Sequence, residues 1–542
     1  MKKGEDTSHS PQGGGRCLFL FARVRSGTVY GVDGHLVQVE VDISPGLPLF
    51  EIVGLPDAAV RESRDRVRTA IRNSGLPFPT GRIVVNLAPA DLPKAGPACD
   101  LAIALGILAA SGQVPAEKVA PLCAVGELSL DGHVRGVPGV LSIALAAEAA
   151  GAPLVVPAAS AGEARLVPGL SIVAVGSLRE AVAWLRGAAP PPPLPEPPAP
   201  PPPADDEGED LADVRGQAMA KRALEVAAAG GHNLLMTGPP GVGKTMLARR
   251  LAGLLPPLDR REYLDVCRVY SIAGLLAADP VRRGRRPFRA PHHSATRAGL
   301  LGGARGTPGE VSLADHGVLF LDEVNEFSRS VLEALRQPLE DGVVVLARLP
   351  RPLRFPARFT LVAAANPCPC GYYGDTRREC RCSPHAVAAY QRRLSGPMAD
   401  RLDLHVELTP PTWGELTGGA PSPTTPQVRA RVLEARARQA RRFRGEAVRT
   451  NARMNEAMVR RFCRLDGAAE AVLGAAVERF HLSARAVART LKVARTLADL
   501  AGRERIGPEH VQEALAFRPA PPPASASVPR HIHSLMAGGD AR

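Results

Sequence analysis

Aromatic side chains are scarce in this chain, 4% of 542 residues, so its cores must close by aliphatic packing. Cysteine is scarce too. Nine in a chain this long, with no secretory leader ahead of them, exclude a disulfide framework and point to reduced thiols in the cytoplasm. Long apolar runs are also missing. Cys17–Ala22 is too short for a secretory core and has no small-residue cleavage site, and Leu101–Ala110 is too short to cross a bilayer. The expected protein is cytosolic, with no membrane partner. Acidic residues are in deficit, 54 against 67 Lys and Arg, which leaves a net charge of +13. Such a balance favours a polyanionic partner, most simply nucleic acid. An Arg-rich composition spread over solvated faces gives the same total, so charge alone is weak support.

What is present is a long globular chain, 45% hydrophobic, with room for roughly three or four domains. Residues 1–16 are polar and Gly-rich and read as a disordered leader. From Ala22 to Val53 the pattern alternates, with Val37, Val39 and Val41 on one face and Gln38, Glu40 and Asp42 on the other, as in a half-buried strand. Asp57–Asn73 reads as an amphipathic helix, Arg82–Asn86 as a strand, Cys99–Ala110 as an apolar helix and Gly126–Gly132 as a hairpin signal. Leu141–Ala150 reads as a helix before the buried strand Pro153–Pro157. This predicts a mixed α/β domain over 17–187. Residues 188–210, nearly pure Ala and Pro before an acidic run, predict a semi-rigid linker.

The strongest signal is Gly238, Pro239, Pro240, Gly241, Val242, Gly243, Lys244 and Thr245, set between an apolar run and a helical pattern. Strand, glycine-rich loop, helix is the context in which G-x-x-x-x-G-K-[ST] is a P-loop. The loop N–H groups and the helix N-terminus surround a β-phosphate, Lys244 reaches the β/γ oxygens and the Thr245 hydroxyl binds Mg²⁺. A second apolar strand, in His316–Glu323, delivers Asp322 to hold Mg²⁺ and Glu323 to polarise the attacking water. The predicted cofactors are ATP and Mg²⁺. A third strand, Arg358–Ala365, ends at Asn366.

Several stretches resemble a known family. Gly54–Ser63, Asn86–Lys94 and Gly126–Gly132 look like the N-terminal domain of Mg-chelatase-like proteins of the ComM type, which is similar in fold to the Lon protease domain. The Lon-type Ser position is Ala98 here, and Val137–Ala147 contains no Lys, so no acyl-transfer pair is present. Cys99 reads as a packed core residue. The domain is expected to be a non-catalytic binding module. Asp213–Gln217, Ala227–Asn233, Phe288–Ser294 and Ser395–Asp403 resemble the AAA+ core of the same family, which implies an α/β parallel sheet over 211–410. The resemblance makes Asn366 a sensor that orients water, and Arg401 an arginine finger reaching the neighbouring subunit's γ-phosphate. In Leu482–Arg489 it makes Arg485 a second sensor on the nucleotide phosphates. A finger acting in trans implies a homo-oligomer, and the family suggests a hexamer.

Two further features stand out. Asp341–Arg348 and Arg351–Phe355 predict a basic hairpin ahead of the Asn366 strand. Its Arg348, Arg351 and Arg354 either meet DNA phosphates in a ring pore or protect a solvated edge. Arg282–Arg286, near His292 and His293, is a second basic candidate, and the histidines have no assigned role. Cys368, Cys370, Cys380 and Cys382 bracket one loop, and either hold a structural Zn²⁺ or remain four reduced thiols. After a linker at 411–426, residues 427–518 predict a helical lid, and 519–542 a disordered tail. The leading expectation is an ATP-driven ring that acts on single-stranded or branched DNA. The family resemblance makes that action helicase-like branch migration in recombination of incoming DNA. The alternatives are a chelatase motor for metal insertion into a porphyrin, and an ATP-gated protein-binding scaffold.

Overall fold

The computed structural model describes residues 21–518, apart from 56, 95, 195–208, 277–283, 304–305, 348–351, 376 and 419–421. The leader, the tail and most of the Pro-rich linker therefore lie outside the described residues. In the N-terminal domain, β1 (Phe21–Tyr30) and β2 (Asp33–Ser44) form an antiparallel pair in which Val24 faces Val39. Val37, Val39 and Val41 are fully buried, as the alternation requires. With β3 (Leu49–Val53), β4 (Arg82–Ala88), β5 (Cys123–Ala124), β8 (Leu154–Pro157) and β9 (Ile172–Val175), they make a seven-stranded mixed sheet of order β3-β4-β2-β1-β5-β8-β9. A small antiparallel pair, β6 (Glu127–Leu128) and β7 (Val134–Arg135), realises the hairpin signal.

Helices cover both faces of this sheet. Asp100–Ala110, buried along its whole length, crosses one face where Gly106 lets the backbones approach; a Cβ there would lie 2.7 Å from Val41 Cγ2. Val140–Ala149 covers the other face, against Gly27 and Gly34. Helix Ala58–Asn73 starts at Asp57, whose carboxylate accepts the Val60 N–H at 2.8 Å.

The second sheet contains β10 (Leu234–Thr237), β11 (Phe288–Arg289), β12 (Val318–Leu321), β15 (Thr360–Ala365) and β16 (Leu404–Glu407), in the order β11-β12-β15-β10-β16. Every pairing is parallel, and β12 and β15 are buried at every residue. Such runs need cover on both faces, and here helices supply it. β13 (Val343–Leu346) and β14 (Leu353–Pro356) form a separate antiparallel hairpin, with Val345 opposite Arg354.

The C-terminal helices are Thr425–Arg442, Glu456–Phe462, Gly467–Phe480, Ala484–Leu500 and Pro508–Ala516. The first begins inside the segment expected to be a linker, and a further helix, Trp413–Gly418, lies there too. Thr425 is buried, and its hydroxyl accepts the Leu211 N–H at 2.8 Å while Asp210 accepts its own N–H at 2.7 Å. The segment is a structured joint because both ends of the nucleotide domain meet there, 215 residues apart in sequence.

Among the described residues, several contacts integrate the molecule. Helix Arg260–Ile272 places Val266, Cys267, Val269 and Tyr270 in one buried cluster with Val140, Leu141 and Ala144 of the N-terminal domain. Arg268 adds bonds to the Val32 carbonyl at 2.7 Å and to Asp33 at 2.6 Å. Between the parallel sheet and the C-terminal helices runs a buried polar network. His232 bonds Asp403 at 2.9 Å and Thr496 at 2.8 Å, and Asn451 bonds Thr496 at 3.0 Å and Asp499 at 2.8 Å. Its members satisfy one another, which is what allows charges such as Asp403 and Asp499 inside.

Candidate nucleotide site

Everything the P-loop needs hangs from the carboxyl ends of β10, β12 and β15. Gly241 (φ +81°) and Gly243 (φ +94°) take the left-handed backbone that turns the loop into helix Lys244–Leu254. A Cβ at Gly238 would lie 2.6 Å from the Leu408 carbonyl, so only glycine fits where the loop leaves the sheet. Lys244 is buried. Its Nζ donates to the carbonyls of Gly238 at 2.6 Å and Pro239 at 3.0 Å, and to Asn366 Oδ1 at 3.0 Å. Burial lowers its pKa, and Asp322 and Glu323 partly oppose that shift. A phosphate would restore the preference for the charged form.

The Thr245 hydroxyl bonds Asp322 Oδ2 at 2.7 Å, so two oxygen donors converge where a hard cation would sit, and an all-oxygen set suits Mg²⁺. Glu323 follows on the same strand tip with φ +49°, unusual for a side-chain-bearing residue. Its carboxylate is half-exposed, and Oε2 lies 3.5 Å from His293 Nδ1. The His293 ring lies against that of His292, tilted by 34° with centroids 4.0 Å apart. Sequence reasoning left both histidines without a role; the signal was their place in Phe288–Ser294, directly after β11.

Lys244, Thr245, Asp322, Glu323 and Asn366 are thus brought together. Arg401 and Arg485 are not with them. Arg401 precedes β16, and its carbonyl accepts from Asn233 Nδ2 at 2.9 Å, at the amino end of β10. The P-loop leaves the carboxyl end of β10, a strand's length away, about 13 Å. Arg485 sits beside Arg401, and both guanidinium groups bond Glu340 Oε1, Arg485 at 3.1 Å. Arg485, expected on the nucleotide phosphates, is thus not beside the P-loop within this chain. Helix Ala484–Leu500 places Arg485 beside Arg401, at the end of the sheet away from the P-loop. Glu340 was not foreseen, because a Glu ahead of a hairpin carries no motif.

The basic hairpin exists, and Arg354 is exposed on β14, but Arg348 and Arg351 lie outside the described residues. Its base packs against the β1–β2 turn, where Tyr30 and Val32 join the core beneath it. The four cysteine sulfurs 368, 370, 380 and 382 lie within 4.8 Å of one another. In the N-terminal domain, Ala98 precedes Cys99, which is buried and whose thiol burial pushes up to about 11, the state of an inert core cysteine. Among the described residues no helix is long and apolar enough to cross a membrane.

Comparison with known proteins fits this geometry. Residues 210–416 match the family "Magnesium chelatase, subunit ChlI", residues 39–160 match "Subunit ChlI of Mg-chelatase", and residues 422–518 match its C-terminal family. An uncharacterized protein of Mycobacterium tuberculosis is 48% identical over 499 residues, covering 92% of this chain and 98% of its own length. The competence protein ComM of Haemophilus influenzae is 45% identical over 504 residues, 92% of this chain and 97% of that protein. The uncharacterized protein YifB of Escherichia coli is 43% identical over 497 residues, 91% and 96% of the two chains. A P-loop, an Asp-Glu strand tip and a third-strand Asn on such a scaffold make an AAA+-type ATPase motor, which implies ATP and Mg²⁺. The chain belongs to the Mg-chelatase-like family of ComM and YifB proteins.

Proposed function

We propose that the protein is a cytoplasmic, ring-forming ATPase that moves branched or single-stranded DNA, with branch migration during recombination of incoming DNA as its task. The observation that carries the reading is near-full-length similarity to a protein named for competence, 45% over 92% of this chain. The excess of positive charge and the basic hairpin before the Asn366 strand support a DNA partner. In this reading Glu323 activates water, and Asn366 orients it. Arg401, with Arg485 beside it, completes the site of the next subunit of a hexamer, where cations offset charge on the transferring phosphoryl group. Arg348, Arg351 and Arg354 contact DNA phosphates. The N-terminal domain binds without proteolysis, since Ala98 stands at the Lon-type Ser position and Val137–Ala147 holds no Lys. A structural Zn²⁺ sits on Cys368, Cys370, Cys380 and Cys382.

Wild type is compared with Glu323→Gln and Lys244→Ala for ATPase with and without single-stranded DNA, and for migration of a four-way junction. Wild type should be DNA-stimulated and move the junction. Glu323→Gln should keep nucleotide binding and lose roughly 10²–10⁴-fold in hydrolysis, and Lys244→Ala should not bind nucleotide. A wild type that is neither DNA-stimulated nor able to move a junction sinks the DNA reading.

A further inference from the structure

Two residues after Asn366 the chain enters a loop that burial cannot hold. From 372 to 383 none of the described residues is buried. Sulfur does what apolar packing does not. The Sγ atoms of Cys368 and Cys370 lie 3.3 Å apart, and Cys380 Sγ lies 3.6 Å from each. Four thiolates around Zn²⁺ at about 2.3 Å have edges of about 3.8 Å, whereas a disulfide closes to about 2.05 Å. These three spacings lie near that edge and far from a disulfide, and Cys382 Sγ lies within 4.8 Å of the other three sulfurs. The Tyr373 N–H also donates to Cys368 Sγ at 3.3 Å, the kind of outer bond that orients a ligating thiolate. A closed, all-sulfur set is the pattern of a structural site.

The same loop touches the nucleotide loop directly. Gly371, between the second cysteine and Tyr372, has φ +86°, and a Cβ there would lie 2.7 Å from Pro240 Cδ and 2.9 Å from Cγ. The backbone of the cysteine loop therefore rests on the P-loop proline ring. On its other side, Asn366 holds Lys244 Nζ at 3.0 Å, with only Pro367 between it and Cys368. Pro367 is itself fixed, its carbonyl accepting Gln391 Nε2 at 3.1 Å. One short segment thus links four sulfurs, the sensor asparagine and the wall of the phosphate loop.

We infer that the Zn²⁺-tetrathiolate loop is a brace for the P-loop: metal bound to Cys368, Cys370, Cys380 and Cys382 holds Gly371 against Pro240 and Asn366 against Lys244. Nucleotide binding by this protein is therefore metal-dependent through a site that touches no nucleotide. The inference rests on the ATPase reading, and nucleotide affinity, separate from hydrolysis, is its readout. No bond is made or broken; the metal acts by restricting backbone.

The test uses the full chain purified under reducing conditions with zinc in the buffer. Zinc per chain is measured by elemental analysis, and affinity with a slowly hydrolysed ATP analogue. Wild type should hold one zinc per chain. The double variant Cys380→Ser/Cys382→Ser should hold none and lose about tenfold or more in affinity, since misplaced positioning groups cost up to about a hundredfold. Gly371→Ala should keep its zinc yet lose affinity, because the added methyl displaces Pro240. It answers the objection that the double variant merely misfolds. Stripping wild type with a mercurial and chelator should lower affinity, and added Zn²⁺ should restore it. The brace is overturned if wild type holds well under one zinc, if the zinc-free variant binds nucleotide like wild type, or if Gly371→Ala is indistinguishable from wild type. A wild type that binds nucleotide in this zinc-dependent way but hydrolyses none would refute the ATPase reading and leave the brace standing.

Discussion

Glu323 shows what a single residue is asked to do. Its left-handed backbone, costly for a residue with a Cβ, aims the carboxylate out of the strand tip beside His293 while Asp322 turns toward Thr245. Adjacent carboxylates on one strand are thus parted, one toward the Thr245 hydroxyl and one toward His293, as the proposed roles of metal ligand and water-activating group require. The motif announced both residues, but not the strain or the histidine, because backbone conformation at one position and a contact thirty residues away leave no mark in a local pattern. His405 gives a residue-scale prediction. Burial holds its pKa down to about 4, with Arg489 and Arg518 nearby also disfavouring the charged form. The unfolded chain takes up this proton near pH 6.5 and the folded chain only near 4. Stability is therefore fully present above pH 6.5, falls as the pH drops and is least below 4. Near pH 5.5 the loss from this group is about 1.4 kcal/mol. Urea unfolding at pH 7.5 and 5.5 should show that difference shrinking by about this amount in His405→Gln; equal losses in both proteins would refute the assignment.

Helix Arg260–Ile272 is the element that makes one body of two domains. Its capping box, Asp259 and Glu262, is a local pattern, although the helix is not among the elements expected from the sequence above. What its apolar face meets leaves no such pattern, because Val140 and Leu141 lie more than a hundred residues away and nothing local specifies a partner. The same holds for the C-terminal helices: their existence follows from period and composition, whereas their seat comes from the apolar cluster that joins Val432, Val493 and Leu497 to Leu224, Leu247 and Leu251 of the core, with the His232–Asp403–Thr496 network beside it. His232 and Asp403 fall within the family motifs, and their bonded pair joins the core to those helices through Thr496, a reason for their presence that pattern alone does not supply. Tyr270 tests the docked helix. It is 1% exposed, and its hydroxyl donates to the Leu313 carbonyl at 3.0 Å. Tyr270→Phe should cost about 1 kcal/mol for the lost hydrogen bond, and Tyr270→Ala about 3–5 kcal/mol for the cavity. Thermal unfolding measures both. Limited proteolysis should cut the Ala variant faster within 260–276, and if the two variants lose equal stability, packing at this helix is not what joins the domains.

At the scale of the whole molecule, the sheet sets a polarity: phosphate chemistry at the carboxyl ends of its strands, and Arg401 with Arg485 at the amino end. On the proposed function a single chain presents two unlike half-sites at opposite ends of its strands, and heterologous contacts between such unlike surfaces give a ring where the rotation closes. Within the chain, Glu340 occupies both arginines, and the Arg401 side chain is only 8% exposed. In the proposed ring, Arg401 would have to leave Glu340 when subunits meet. Mixing experiments decide how the halves combine. Lys244→Ala and Arg401→Ala should each be inactive alone, one lacking a nucleotide loop and the other its finger. Combined, they should recover a fraction of the ATPase activity, because an intact P-loop on the Arg401→Ala subunit meets an intact Arg401 on its neighbour. Arg485→Ala mixed with Lys244→Ala should recover in the same way, since Arg485 lies with the finger. If that second mixture stays inactive while the first recovers, Arg485 serves the nucleotide of its own chain, and the helical domain must swing across the sheet on assembly. If neither recovers although mixed oligomers form by mass, the trans site is wrong.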